Sequence, residues 1–297
     1  MSKRKSNDIR IEGVIALFLN VYPNPNTKGR YRTVMGQFCS AFAIRSLANL
    51  EVVPSESVAR AQQFCASAES EATFNNRLAC LRSFHGFLDA TYGIRNPLNR
   101  ATVRFRRVQS RSRTVSLSAP QLKKLLGTLK KASRDFNGHR DYLLMKVLAL
   151  TSVRISEALQ IRFSSIIKLG NIWHQSVLQK GGRERPVVIQ NSLYKEIAWF
   201  CKKYHVDIVL CKADGSPISR EHAFRIVRKR IHQVLGIPDA SPHSLRKTFI
   251  ELAQSRNVNP VEIMNSTGHA HMDMIAYYDN RSPLKHNASS ALTDLTR

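Results

Sequence analysis

Apolar residues fall at helical spacing through most of the first hundred positions. Tyr31, Val34, Phe38 and Phe42 form one stripe, and Phe74, Leu78, Leu81, Phe84 and Leu88 form another. Shorter helices fit around residues 10–21 and 55–67. Pro23, Pro25 and Gly29, then Gly93 and Pro97, separate or end them, so the pattern predicts a four-helix domain ending near residue 100. Further along, Ser118-Ala-Pro-Gln121 has the form of a capping box, in which Ser118 accepts the Gln121 amide and Gln121 reaches back. The run Tyr142-Leu-Leu-Met-Lys-Val-Leu-Ala-Leu150 predicts a buried helix.

The period then changes. Ile166 to Leu169, a Gly170-Asn171 turn, Ile172 to Gln179, a turn at Lys180-Gly181-Gly182, and Arg183 to Ile189 predict a three-stranded meander. Beyond it the helical pattern returns, with Ser241-Pro242 and Asn259-Pro260 as helix starts. There is no internal repeat and no low-complexity segment. The expected fold is mostly α with a small β-meander (α+β). A helical domain over 1–103 leads through a linker at 104–117 to a second domain over 118–297.

Composition narrows the function. Forty-six Lys and Arg stand against 21 Asp and Glu in 297 residues, a formal net charge of +25. The excess is shared, about +11 in residues 1–113 and +14 in 114–297. A packed protein with this surplus points to a polyanionic partner, because neutralising phosphates releases counterions. The linker Arg104-Phe-Arg-Arg-Val-Gln-Ser-Arg-Ser-Arg113 holds Arg104, Arg106, Arg107, Arg111 and Arg113 without one acid. A charge run is often only a solvated face, but between two basic domains it reads as a strap along a phosphate backbone. No apolar run approaches a membrane span, and five scattered cysteines form no disulfide framework, so a cytoplasmic setting is expected.

Four segments of the second domain carry polar residues in apolar frames. Arg154 and Glu157 are three apart, as on one helical face, and alone read as a structural ion pair. His243 and Arg246 have the same spacing near a helix N-terminus, which favours anions. Thr267-Gly268-His269 is followed nine residues on by Tyr278, with Tyr277 and His271 between as a half-buried ring and a solvated turn residue. Lys180 sits in a glycine-flanked hairpin turn. Each signal is weak alone. Together they supply guanidinium, imidazole, ammonium and phenol groups with no carboxylate cluster for a metal. That inventory suits attack on a phosphodiester without a metal ion. A Cys201–His205–Cys211 metal site has poor spacing and no fourth ligand, and buried cysteines are the better account.

The order Arg…Lys…His-x-x-Arg…Gly-His…Tyr resembles the tyrosine recombinase (phage integrase) family over roughly residues 140–280. Arg154-Ile-Ser-Glu157 matches the Arg-x-Ser-Glu block, Lys180 the hairpin lysine, and His243-Ser-Leu-Arg246 the His-x-Leu-Arg box. Thr267-Gly268-His269 matches Leu-Gly-His with Thr for Leu, and the count from His269 lands on Tyr278. Ser152 stands where a glycine is usual, a change tolerated if its backbone is not left-handed.

The resemblance implies a helical core-site DNA-binding domain joined to a catalytic domain. It implies a site-specific recombinase that cuts and rejoins DNA through a covalent 3′-phosphotyrosyl intermediate, for integration, excision or resolution of a mobile element or replicon. By that resemblance Tyr278 is the nucleophile, Arg154 and Arg246 clamp the phosphate, and His243 and His269 assist. Lys180 protonates the leaving 5′ oxygen, and Glu157 orients Arg154 or a neighbouring group. No cofactor and no metal are implied. The implied partners are double-stranded DNA bearing a specific site and three further copies in a homotetramer, with a partner recombinase or directionality factor as an addition. A C-terminal segment over residues 288–295 is expected to pack on a neighbouring copy. The setting is bacterial, phage or plasmid-encoded, cytoplasmic and nucleoid-associated, and a simple two-domain member is favoured. A type IB topoisomerase, a telomere-resolving enzyme and a non-catalytic DNA-binding accessory protein are the competing readings.

Overall fold

The computed structural model describes residues 9–99, 101–107, 114–179, 181–269 and 275, and divides into units at Met1–Gln109 and Ser110–Arg297. In the first unit the described helices are α1 (Ile11–Asn20), α2 (Pro25–Ala41), α3 (Pro54–Ala66) and α4 (Glu71–Tyr92). Local chemistry starts and stops them. Asn24 caps α2 by accepting from the Asn26 and Thr27 amides, and Pro25 fills a first-turn position where no amide donor is needed. Ser70 caps α4, and Gly93 ends it in the left-handed conformation at φ 70°.

All five apolar residues read along α4 are buried, and Phe18 of α1 meets Phe84 of α4 edge-on at 5.2 Å. At the end of this unit the Asn75 side chain clasps the chain. Its amide donates to the Arg106 carbonyl and its oxygen accepts the Arg106 amide, both at 2.8 Å. The Arg106 guanidinium lies 3.9 Å over the Phe74 ring and 3.4 Å from Glu71. Arg106, expected to lie along a phosphate backbone, is thus already engaged on α4, while Arg104 and Arg107 are exposed. Arg111 and Arg113 lie outside the described residues.

The second unit is built around α6 (Phe136–Thr151), preceded by α5 (Ala119–Ala132). Helix α6 is buried on nearly every side, from Tyr142 to Ala149, which is why its sequence is a continuous apolar run rather than a stripe. The one-turn helix α7 (Ile155–Ala158) leads into strands β1 (Ile167–Leu169), β2 (Ile172–Leu178) and β3 (Glu184–Ile189). They pair antiparallel in the order β1-β2-β3, as the alternating sequence predicts.

The register sets Gln175 opposite Val187 and Val177 opposite Arg185, so one face is buried and carries an arginine among apolar residues. Among the described residues four helices follow: α8 (Asn191–Tyr204), α9 (Arg220–Leu235), α10 (Pro242–Ser255) and α11 (Pro260–Thr267). The expected starts hold. Ser118 and Gln121 form their capping box, and the Ser241 amide donates to the Ser244 hydroxyl at 3.0 Å. Helix α10 also holds the segment entering this unit. The Thr248 hydroxyl accepts the Leu117 amide, and Lys247 Nζ donates to the Thr114 carbonyl, both at 2.8 Å.

Candidate active site

The site forms where three chain reversals converge. At the first, α6 ends in Ser152, whose φ of 56° is left-handed. The condition under which serine would be tolerated there is therefore not met. The chain must turn there to start α7, and serine bears the strain that glycine would not. Its hydroxyl is fully buried and finds no partner among the described residues. What the turn achieves is to aim the Ser152 carbonyl at Arg246, which donates to it from Nη1 at 2.6 Å.

Arg154 does not share a helical face with Glu157 as its spacing suggests. It stands just before α7, at the cap position, in extended conformation. Glu157 reaches back and accepts the Arg154 amide at 3.1 Å on Oε2 and the Arg154 guanidinium at 2.8 Å on Oε1. Its Oε2 also accepts from Arg185 of β3 at 2.8 Å. Burial would raise the pKa of Glu157. The hydrogen bonds from Arg154 and Arg185 outweigh it and hold the carboxyl below its ordinary value. A lone buried carboxylate would cost several kcal/mol, so these donors are what allow a 1% exposed glutamate here. Arg154 itself stays 38% exposed, its charged end open to the cleft.

The second reversal is the start of α10, which carries His243 and Arg246 one turn apart. Arg246 is buried, and three neutral acceptors hold it: the Ser152 carbonyl, the Thr267 carbonyl at 2.7 Å and His269 Nε2 at 2.9 Å. Both carbonyls lie at helix C-termini, where the helix dipole favours a cation. His243 stands exposed at the mouth. The protein mass around it, then the charges of Arg246, Arg154 and Lys247, lower its pKa.

The third reversal ends α11 at Gly268, with φ 65°. A Cβ there would lie 1.9 Å from Gln179 Nε2 and 2.7 Å from Arg185 Cδ, so only glycine fits. His269 follows, buried. Desolvation, then the cations Arg246, Arg154, His243 and Arg185, push its pKa down to about 3. It is neutral at ordinary pH.

Arg154, His243 and Arg246 thus line one cleft of about 230 Å³, together with Ser156, Arg220 and Ser241. His269 and Glu157 stand behind them. Lys180, Tyr278, His271 and Tyr277 lie outside the described residues. Two residues escape sequence reasoning. Arg185 looks like one more cation in the basic run 183–185, and only its strand parity with Val187 and Ile189 marks it as inward. Arg220 follows the cap residue Ser219 and reads as a solvated first-turn charge. The cysteines behave as packing: Cys201 and Cys211 are buried, and desolvation pushes the Cys201 thiol up to about 12. Among the described residues no group of three or more His, Cys, Asp or Glu is placed to hold a metal. A cleft with three guanidinium groups and an imidazole, its carboxylate turned to the rear, can bind a tetrahedral phosphodiester anion and stabilise added charge on it.

Comparison with known proteins agrees with that chemistry. Residues 116–284 match the phage integrase family. Tyrosine recombinase XerH of Campylobacter jejuni is 24% identical over 172 residues, 55% of this chain and 48% of that protein. Tyrosine recombinase XerD of Staphylococcus saprophyticus is 22% identical over 272 residues, 86% of this chain and 88% of that one. The chain therefore spans about half of the one relative and most of the other. A lambda integrase tetramer bound to a Holliday junction superposes with a TM-score of 0.69 at 13% identity, covering 93% of this chain and 80% of that one. The chain belongs to the phage integrase family, the tyrosine recombinases.

Proposed function

We propose that this chain is a site-specific DNA recombinase and that Arg154, Lys180, His243, Arg246, His269 and Tyr278 are its reacting set. The observation that carries this is the convergence of Arg154, His243 and the buried Arg246 on one cleft, with His269 bonded to Arg246 behind it. Guanidinium groups gathered at one cleft suit an anion, and their fork geometry matches a phosphodiester. In the reaction the Tyr278 oxygen bonds to phosphorus and the bond from phosphorus to the 5′ oxygen breaks. The tyrosyl proton passes to neutral His243, and Lys180 protonates the leaving oxygen. The two arginines stabilise the pentavalent charge in between.

Both units carry excess positive charge, which supports duplex DNA as the partner of both the helical domain over 1–103 and the catalytic domain over 118–297. Arg104, Arg107, Arg111 and Arg113 remain phosphate contacts in this reading, and Arg106 contributes by fixing the chain on α4. The assembly is a tetramer. An apolar groove of about 420 Å³, lined by Leu122, Leu126, Leu150, Phe249, Leu252 and Ile263, suits Leu292 and Leu295 of a neighbouring copy's C-terminal segment. Deleting residues 288–297 should then leave DNA binding intact and weaken assembly on the DNA; unchanged assembly would remove that part of the reading.

The test of function is to denature expressing cells rapidly in detergent and sequence the DNA left attached to the protein. Site-specific adducts that vanish with Tyr278→Phe and persist with Tyr277→Phe are expected. Intact binding without any adduct would overturn the recombinase in favour of a factor that only binds, and adducts without sequence preference would favour a topoisomerase.

A further inference from the structure

We propose that Thr267 is a positioning residue: its hydroxyl holds His269 as the Nδ1–H tautomer, so that the bare Nε2 accepts from Arg246 and sets the plane of that guanidinium. The inference rests on the recombinase reading above and deepens it, because it assigns His269 the work of orienting a phosphate clamp rather than carrying a proton.

The argument begins at Arg246. Its Nη2 lies 2.9 Å from His269 Nε2, and a guanidinium has donors and no acceptor. A hydrogen bond there requires a lone pair on Nε2. A neutral imidazole keeps one ring proton, which must then sit on Nδ1. Nδ1 lies 2.9 Å from the Thr267 hydroxyl oxygen, which therefore accepts. A hydroxyl that accepts must send its own proton elsewhere, and the Thr267 hydroxyl lies 3.1 Å from the Met264 carbonyl, an acceptor only. Through these three bonds the direction runs from Nδ1–H to Thr267 to Met264. The depressed pKa of His269 agrees, since a second ring proton would point at Arg246.

The backbone locks the pieces together. Thr267 is the last residue of α11 and fully buried, and its own carbonyl accepts from the same Arg246 Nη2 at 2.7 Å. One residue thus holds Arg246 twice, directly through its carbonyl and indirectly through its hydroxyl and His269. The left-handed Gly268 brings the ring back over its own helix end to make this possible. A leucine here, as in the block this segment resembles, offers Nδ1 no acceptor.

The experiment is imidazole nitrogen NMR on the full-length chain with labelled histidine, without DNA and at neutral pH, with the His269 signals assigned from a His269→Gln sample. The expected wild-type spectrum shows a protonated Nδ1 and a bare Nε2. Thr267→Ser, which keeps the hydroxyl, should keep that spectrum and strand cleavage. Thr267→Val keeps shape without the acceptor. It should move the proton to Nε2, turning two donors toward each other, and slow cleavage by about tenfold with DNA affinity unchanged. A wild-type ring protonated on Nε2, or a Thr267→Val ring still protonated on Nδ1, would overturn the assignment. The spectrum needs no activity. A wild type that never forms adducts would sink the recombinase reading and leave the tautomer result standing.

Discussion

Two arginine clusters among the described residues of the second unit differ in the groups that hold them. Beside α9, Arg140 and Arg230 flank Asp141. Arg140 donates to Oδ1 at 3.1 and 2.8 Å, and Arg230 donates bidentately to Oδ2 at 2.9 and 2.7 Å. Each guanidinium there faces carboxylate, and the cluster ties α6 to α9. At the cleft, the buried Arg246 donates to two carbonyls and meets an imidazole. Burial alone does not separate a structural arginine from a functional one. Place does: Arg246 lines a cleft with Arg154 and His243, whereas Arg140 and Arg230 share one carboxylate between two helices.

Glu157 shows the intermediate case, pairing Arg185 behind the site while it leaves Arg154 partly open. The largest expected effect breaks the comparison at its centre. Arg246→Lys should cost about 10²–10³-fold in single-turnover cleavage, because an ammonium cannot span two phosphate oxygens, whereas Arg230→Lys should cleave near the wild-type rate. Comparable losses in both would mean that the two clusters do not differ in kind.

Next in size, Glu157→Gln and Asp141→Asn should each lower stability by about 3 kcal/mol in urea unfolding, since each leaves buried guanidinium partly uncompensated. Only Glu157→Gln should also slow cleavage per folded molecule, through a loosened Arg154.

A smaller effect comes from acid. The folded-state pKa of His269, about 3, lies below its ordinary 6.5, so the stability tied to the neutral ring is complete above pH 6.5 and is lost as pH falls through the window between. From pH 7 to pH 5 the loss is about 2 kcal/mol. His85, with its pKa lowered to about 4 by burial in the first unit, and His243 add slope in the same direction. Comparison with His269→Gln isolates the share of His269: the variant's unfolding free energy should depend less steeply on pH, and an equal slope would contradict the neutral buried ring.

The smallest effect is a gain. Ser152→Gly should stabilise by about 1 kcal/mol, because it relieves a left-handed serine and removes a buried hydroxyl without a partner among the described residues. Differential scanning calorimetry that shows a lower melting temperature instead would mean the hydroxyl has a use.

Much of the fold was legible because its causes are local. The apolar runs of α4 and α6, the alternation of β2 and β3, and the caps at Ser118 and Ser241 each depend on neighbours within a few positions. The spacing of His243 and Arg246 within one helical turn was legible for the same reason. Long-range placements were not. The bond from Arg246 to Ser152 spans 94 positions, and the one from Arg185 to Glu157 spans 28. Nothing near either residue in sequence announces it. Arg106 misled for a related reason: a cation in a basic run looks solvated until Phe74, Asn75 and Glu71 are brought to it. Ser152 shows the reverse, a residue type that argues against the conformation the turn imposes on it. Thr267 looked like a neutral departure from a family pattern, and its hydroxyl acquires meaning only beside His269 Nδ1.

The most direct measurement is mass spectrometry of the trapped protein–DNA adduct after nuclease and protease digestion. The account predicts a nucleotide joined through its 3′ phosphate to the phenolic oxygen of Tyr278, with a free 5′ hydroxyl on the released strand. Attachment at Tyr277 or any other residue, or through a 5′ phosphate, would contradict it.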